Sequence, residues 1–357
     1  MLPTTIPLAA LALIAAFHPA AAGAASGARS CDLSPPEARW IQRALDGWDL
    51  VRRDYLKLDP APLPWIVLFD ASCIWHVAPT DPRVLTGAEQ IGTALTFADG
   101  PVDVRALPHD GTVLLPSRYE IPVDVKASTA LYRGGRATFL AMSMPALWRA
   151  SRAHGRNPHL DDYLQGVFVH ELTHTRHLVP LNRRLRRLAE DADLLLPVND
   201  DVVQGHFRKE PGFSRAMETE RDMYFRAAAE PDPGKRLQLA SAALSLRRER
   251  HARYFSGANS AFADIETVFL TLEGTGQWSA YKLTVARGPY DGAAALKLVR
   301  DNRRFWSQDV GLGVFLLLNT LVPDWQAKVF AAEPASPFDL LEAALPNGTG
   351  DQEVRRN

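Results

Sequence analysis

His170-Glu171-Leu172-Thr173-His174 is the stretch that decides how this chain is read. On an α-helix, residues four apart share a face with Cβ atoms about 5 to 6 Å apart, close enough for two imidazoles to grip one metal ion. Glu171 then borders the open side of that ion, where a carboxylate can take a proton from an activated water and pass it to a departing amine. The pattern points to metal-assisted hydrolysis, provided the surroundings are helical. Asp161 and Asp162 suit a helix N-terminus, and Leu164, Val167, Phe168, Leu172 and Thr175 recur at helical spacing. Pro180 is expected to end the run, with the motif in mid-helix. A buried helix with two satisfied core histidines is the bland alternative.

Catalytic zinc sites usually have three protein ligands and one water, so a further donor must come from elsewhere. His177 lies on nearly the same side of the helix. A straight helix rises about 1.5 Å per residue, which puts His177 about 10 Å along the axis from His170, so it is expected to support the site without ligating. No glycine between Thr175 and Arg186 turns the chain back toward a later His, which argues against the metzincin arrangement. Glu273 is the leading third ligand. It sits in the run from Ala263 to Tyr281, where positions 265, 268, 269, 272 and 276 form a helical stripe and Glu266 shares the Glu273 face. Acids on a half-buried face need a charge partner or a metal, because an unpaired buried carboxylate is costly. Gly274 and Gly276 thin the helix beside Glu273 and let another backbone approach closely. Glu266, Glu218, Glu220 and His251 stay open as rival ligands. Tyr281, two turns beyond Glu273, is either a donor to a developing oxyanion or an amphipathic core residue, and Asp264 is a candidate to orient a ligating His.

The motif at 170–174, followed far downstream by Glu273-Gly274-x-x-x-Trp278-x-x-Tyr281, resembles the gluzincin branch of zinc metallopeptidases. The resemblance is local, covering residues 163–180 and 262–285. It implies Zn²⁺ as cofactor, His170, His174 and Glu273 as ligands, Glu171 as general base and a zincin-like fold. The spacing of about 100 residues from His174 to Glu273 is longer than in thermolysin-like members, as in gluzincin-like families with helical insertions there.

Residues 6–17 are apolar and are followed by small residues with Ala-x-Ala choices, as in a secretory signal peptide, although the segment before them lacks Lys or Arg. A secreted or periplasmic location is expected. Cys31 and Cys73 are the two cysteines, and in an exported protein they form either one disulfide or two buried thiols.

Short β-prone runs at 65–69, 102–105, 112–115 and 137–142 suggest a twisted mixed or antiparallel sheet, backed by an amphipathic helix over 36–58. Thr138–Ser143 is the expected edge strand, the one that would pair with an extended peptide. Beyond Leu160 helices dominate, over about 181–196, 213–229, 234–255, 260–285, 307–320 and 338–345. The expected organisation is α+β: a signal peptide over 1–24, a zincin-like sheet lobe with the motif helix over 31–180, a mainly helical lobe over 181–346 and a disordered tail over 347–357. A net charge of −1 gives no reason to expect nucleic acid, and the apolar run Val310 to Val322 is too short to cross a bilayer. The functional expectation is an exported zinc metallopeptidase acting on a peptide or protein substrate. A zinc hydrolase acting on another amide or ester, or a non-catalytic binding protein on the same scaffold, are the alternatives.

Overall fold

Among the described residues ten β-strands fall between Trp65 and Ser143, and six of them make one sheet. The computed structural model describes residues 30–81, 85–152, 154, 156–191, 202–300 and 305–346. The strands are β1 Trp65–Phe69, β2 Cys73–Val77, β3 Glu89–Gln90, β4 Thr96–Phe97, β5 Gly100–Pro101, β6 Val104–Pro108, β7 Thr112–Leu114, β8 Glu120–Pro122, β9 Ala127–Tyr132 and β10 Ala137–Ser143. The main sheet runs β3-β6-β2-β1-β10-β9, with β1 and β10 parallel and the other pairs antiparallel. Pairs β4–β5 and β7–β8 are separate ribbons.

The period of two along a strand sorts the side chains. Ile66, Leu68, Leu140 and Met142 join the large core shared with the helices, while Trp65, Val67, Phe69, Phe139 and Ala141 fill a smaller core with Val113 and Leu115. Both faces are therefore covered, and all five residues of β1 are buried. A disulfide joins Cys31 to Cys73 and so ties the chain ahead of the first helix to β2.

Thr138–Ser143 is not the edge. As part of β10 it has a partner on each side, and β9 is the edge strand at that end of the sheet as described. The reason lies in Arg133-Gly134-Gly135, whose φ values of 51°, 66° and 82° fold β9 back onto β10 as a hairpin.

The helices are α1 Pro35–Leu50, α2 Pro145–Ala150, α3 Leu160–His174, α4 Leu178–Asp191, α5 Val202–Phe207, α6 Pro211–Ala229, α7 Pro233–Tyr254, α8 Phe262–Arg287, α9 Gly292–Val299, α10 Trp306–Leu321, α11 Trp325–Val329 and α12 Pro337–Ala344. A capping box between Ser34 and Glu37 starts α1, which continues as a π-helical turn over Val51–Tyr55 and stops short of the expected Leu58. Its Trp40 meets Phe168 of α3 edge-on, so α1 and α3 lie in one helical layer. The motif helix ends earlier than expected, at His174, so the motif occupies its last turn. Pro180 does not stop it, because Pro180 lies in the first turn of α4, where a missing N–H costs nothing.

α8 is the organising element. It is buried on nearly every side and packs against α3 and α10. The α8–α10 crossing is made by two glycines: a Cβ added to Gly274 would stand 2.8 Å from the Gly311 backbone, and one added to Gly311 would stand 2.7 Å from Gly274 Cα. One apolar core continues from the sheet through these helices to Leu341. Thus the protein is α+β, with an N-terminal sheet and a helical C-terminal part. Among the described residues no helix is long and apolar enough to cross a membrane. The expected signal peptide over 1–24, the tail over 347–357 and the end of the helix expected over 181–196 fall outside the described residues.

Candidate metal centre

His170 and His174 stand one turn apart at the end of α3, and α8 crosses beside them to deliver Glu273. Gly276 permits this approach: a Cβ there would lie 2.7 Å from His170 Nδ1, inside the ring's own space. The Nε2 atoms of the two rings are 2.9 Å apart. Glu273 Oε2 lies 3.3 Å from His170 Nε2, and Oε1 lies 3.4 Å from His174 Nε2. All three side chains are buried, and their donor atoms lie within 4.8 Å of one another.

The two His–Glu distances match a metal site, while the two ring nitrogens stand closer together. Ligand atoms about 2.0 to 2.1 Å from a tetrahedral ion stand about 3.3 to 3.4 Å from each other. Glu273 Oε1 has no hydrogen-bond partner among the described residues, although it is buried. A buried carboxylate oxygen without a donor is expensive unless a cation satisfies it. The donor set, two imidazoles and one carboxylate, suits a divalent ion that accepts nitrogen and oxygen. His170, His174 and Glu273 could therefore hold a metal ion.

The charges around the site are graded. Burial favours a neutral His170, but the hydrogen bond and charge of Glu273 outweigh it and raise that ring's pKa. Burial, helped by the neighbouring His170, holds His174 well below the ordinary range. Glu171 is buried too, and this pushes its carboxyl up to about 7 against the pull of His170. Thr129 of β9 holds it in place, its Oγ1 lying 2.6 Å from the Glu171 carbonyl oxygen and 2.9 Å from Oε2. On the other side Gln308 of α10 donates from Nε2 to Glu273 Oε2 at 3.1 Å. A pocket of ≈ 420 Å³, mouth included, opens beside His170 and Glu171, with Val167, Ala280 and Leu298 among its walls.

The rival ligands have other partners or lie apart. Arg250 binds Glu266 through two nitrogens at 2.8 and 3.0 Å and Glu220 through Nε at 2.7 Å, while His251 Nε2 is 2.7 Å from Glu266 Oε2. Glu218 is exposed. His177 is not seven residues along a straight helix from His170, because the chain turns after His174; its Nε2 meets Thr275 Oγ1 at 3.3 Å and its ring packs on Phe330. The structure does not bring Tyr281 to the group. The pocket face of α8 carries Gln277, Ala280 and Thr284, and Tyr281, about 100° round the helix from Ala280, turns its hydroxyl toward Gly292. Asp264 faces solvent and pairs with Arg184 at 3.2 Å, so it orients no ligand. His174 Nδ1 has no partner among the described residues.

Thr129, Gln277 and Gln308 are neighbours that the sequence reading missed. The Gly134-Gly135 turn between two β-prone runs was the available signal for Thr129. Nothing in local spacing signals the two glutamines. Comparisons with protein-family models, with curated proteins and with solved structures found no match.

Proposed function

We propose that the protein is an exported zinc metallopeptidase of the gluzincin type, built on a zincin-like scaffold. The observation that carries this reading is the meeting of His170, His174 and Glu273 with Glu171 alongside. Zinc held there would polarise the scissile carbonyl and lower the pKa of water toward neutrality. His170 and His174 would bind it through Nε2, and Glu273 through its carboxylate. Glu171 takes the proton of the attacking water and hands it to the leaving amine; burial brings its proton affinity near neutral pH, where such transfer works best. Thr129 anchors Glu171 against the edge strand, whose outer side offers a place for an extended peptide to add as a further strand. The Cys31–Cys73 disulfide supports export, since such bonds persist in oxidising compartments.

The pocket beside His170 and Glu171, ≈ 420 Å³ with its mouth, lies near the lower end of small-molecule sites, which favours a second reading in which a compact amide or ester is hydrolysed by the same groups. Zinc-loaded protein assayed on a peptide library decides between them. Cleavage is expected, abolished by a chelator, restored by zinc, and reduced about 10²- to 10⁴-fold in Glu171→Gln with metal retained. One zinc per chain with no turnover of peptides, small amides or esters would contradict catalysis.

A further inference from the structure

Glu273 and Glu266 stand two turns apart on α8, both buried, yet their surroundings differ in kind. Glu266 is neutralised by the Arg250 guanidinium and lies within hydrogen-bond distance of His251. Among the described residues Glu273 receives no basic side chain other than the two motif histidines; its further donor is the uncharged amide of Gln308, at 3.1 Å from Oε2. Gln308 is itself held, because Gln277 Nε2 donates to Gln308 Oε1 at 2.9 Å. With its oxygen thus engaged, the Gln308 amide presents NH₂ to the carboxylate.

The helix crossing places this donor. Gly274 and Gly311 bring α8 and α10 into backbone contact, and Gln308 lies almost one turn before Gly311, over the Glu273 carboxylate. An amide there does two things that a lysine or arginine would not do together. It satisfies one buried oxygen and fixes the rotation of the carboxylate, and it leaves the negative charge available to a cation. The other oxygen, Oε1, is left without a hydrogen bond and faces His174.

We infer that Gln308, pinned by Gln277, is a positioning residue that sets the Glu273 carboxylate for metal ligation. The inference rests on the metal reading above and adds a residue from a third helix to it.

The test is the affinity of the purified protein for Zn²⁺, measured by competition with a chromophoric chelator, in the wild type, Gln308→Leu and Gln277→Leu. Gln308→Leu is expected to weaken zinc binding about 10- to 100-fold. Gln277→Leu, whose native amide bonds Gln308 and not the carboxylate, is expected to weaken it less but in the same direction. Melting temperatures with and without zinc separate positioning from packing: the increment given by zinc shrinks if Gln308 positions the ligand. If Gln308 only fills space, both melting temperatures fall together and the affinity stays. Should Gln308→Leu fail to fold, Gln277→Leu and the visible spectrum of its Co²⁺ complex carry the test, a changed coordination spectrum being expected. Variants that bind zinc within threefold of the wild type, with the same Co²⁺ spectrum, would overturn the inference and leave the metal reading intact. A wild type that binds no zinc would overturn both.

Discussion

At the scale of single residues, Gly276 shows how little room the site leaves. A methyl group there would press on the His170 ring at 2.7 to 2.8 Å, so the ring or α8 must shift. Gly276→Ala is therefore expected to cost about 1 to 3 kcal/mol of stability and to weaken metal binding at least about tenfold. Gly205→Ala is the control: a Cβ there meets nothing within 4 Å, and α5 should be unchanged or slightly stabilised. Equal metal affinity in the two variants, read by chelator competition, would contradict the packing argument. The motif residues were legible in sequence because the i,i+4 spacing of one helix encodes their meeting. Glu273 was legible through its acid-glycine context. Thr129 and Gln308 were not, since they reach the site from a strand and a third helix, and their placement depends on tertiary packing that has no period in the sequence.

Among the elements, α8 ties the centre to the helical part through a buried ion network. Arg250 of α7 is 2% exposed and bridges Glu220 of α6 to Glu266 of α8. Replacing it by methionine keeps much of the volume but leaves two buried carboxylates without their counter-charge, and a loss of about 3 to 5 kcal/mol is expected in denaturant unfolding. A loss below about 1 kcal/mol would show that the network is not needed. Helices α6, α7, α8, α10 and α12 lie within two residues of the bounds read from apolar periodicity; side-chain caps and prolines open α6, α7 and α12, and Pro289 and Pro323 follow α8 and α10. The edge strand and the end of the motif helix were misread for related reasons. A proline signals a stop only where its missing N–H would be needed, and an edge is a property of sheet order, which short strands do not encode.

For the whole molecule, the core and the buried titratable groups set its response to acid. Burial pushes His76 of β2 down to about 4 from 6.5, and the ring's Nδ1 accepts from Trp65 Nε1 at 3.1 Å. Below pH about 6.5 the unfolded chain binds a proton that the folded His76 refuses, so this contribution is full above 6.5 and is lost as pH falls toward 4, up to about 3 kcal/mol. Burial opposes the charge of Glu266, but Arg250 and His251 overcome it and hold the group down to about 2 from 4.5. Its contribution is present above pH 4.5 and is lost as pH falls toward 2. Unfolding free energies should therefore drop in two acid windows, and His76→Leu should reduce the slope of the upper one, which the buried His174 and His177 share, while lowering stability at neutral pH. An unchanged slope between pH 6.5 and 4 in that variant would contradict the assignment.

The central claim is that one metal ion is held by His170, His174 and Glu273, and metal content per chain tests it most directly. Purified wild-type protein dialysed against zinc should carry one zinc per chain, as should Glu266→Gln, while Glu273→Ala should carry almost none. Zinc retained in full by Glu273→Ala, or absent from the wild type, would contradict the account.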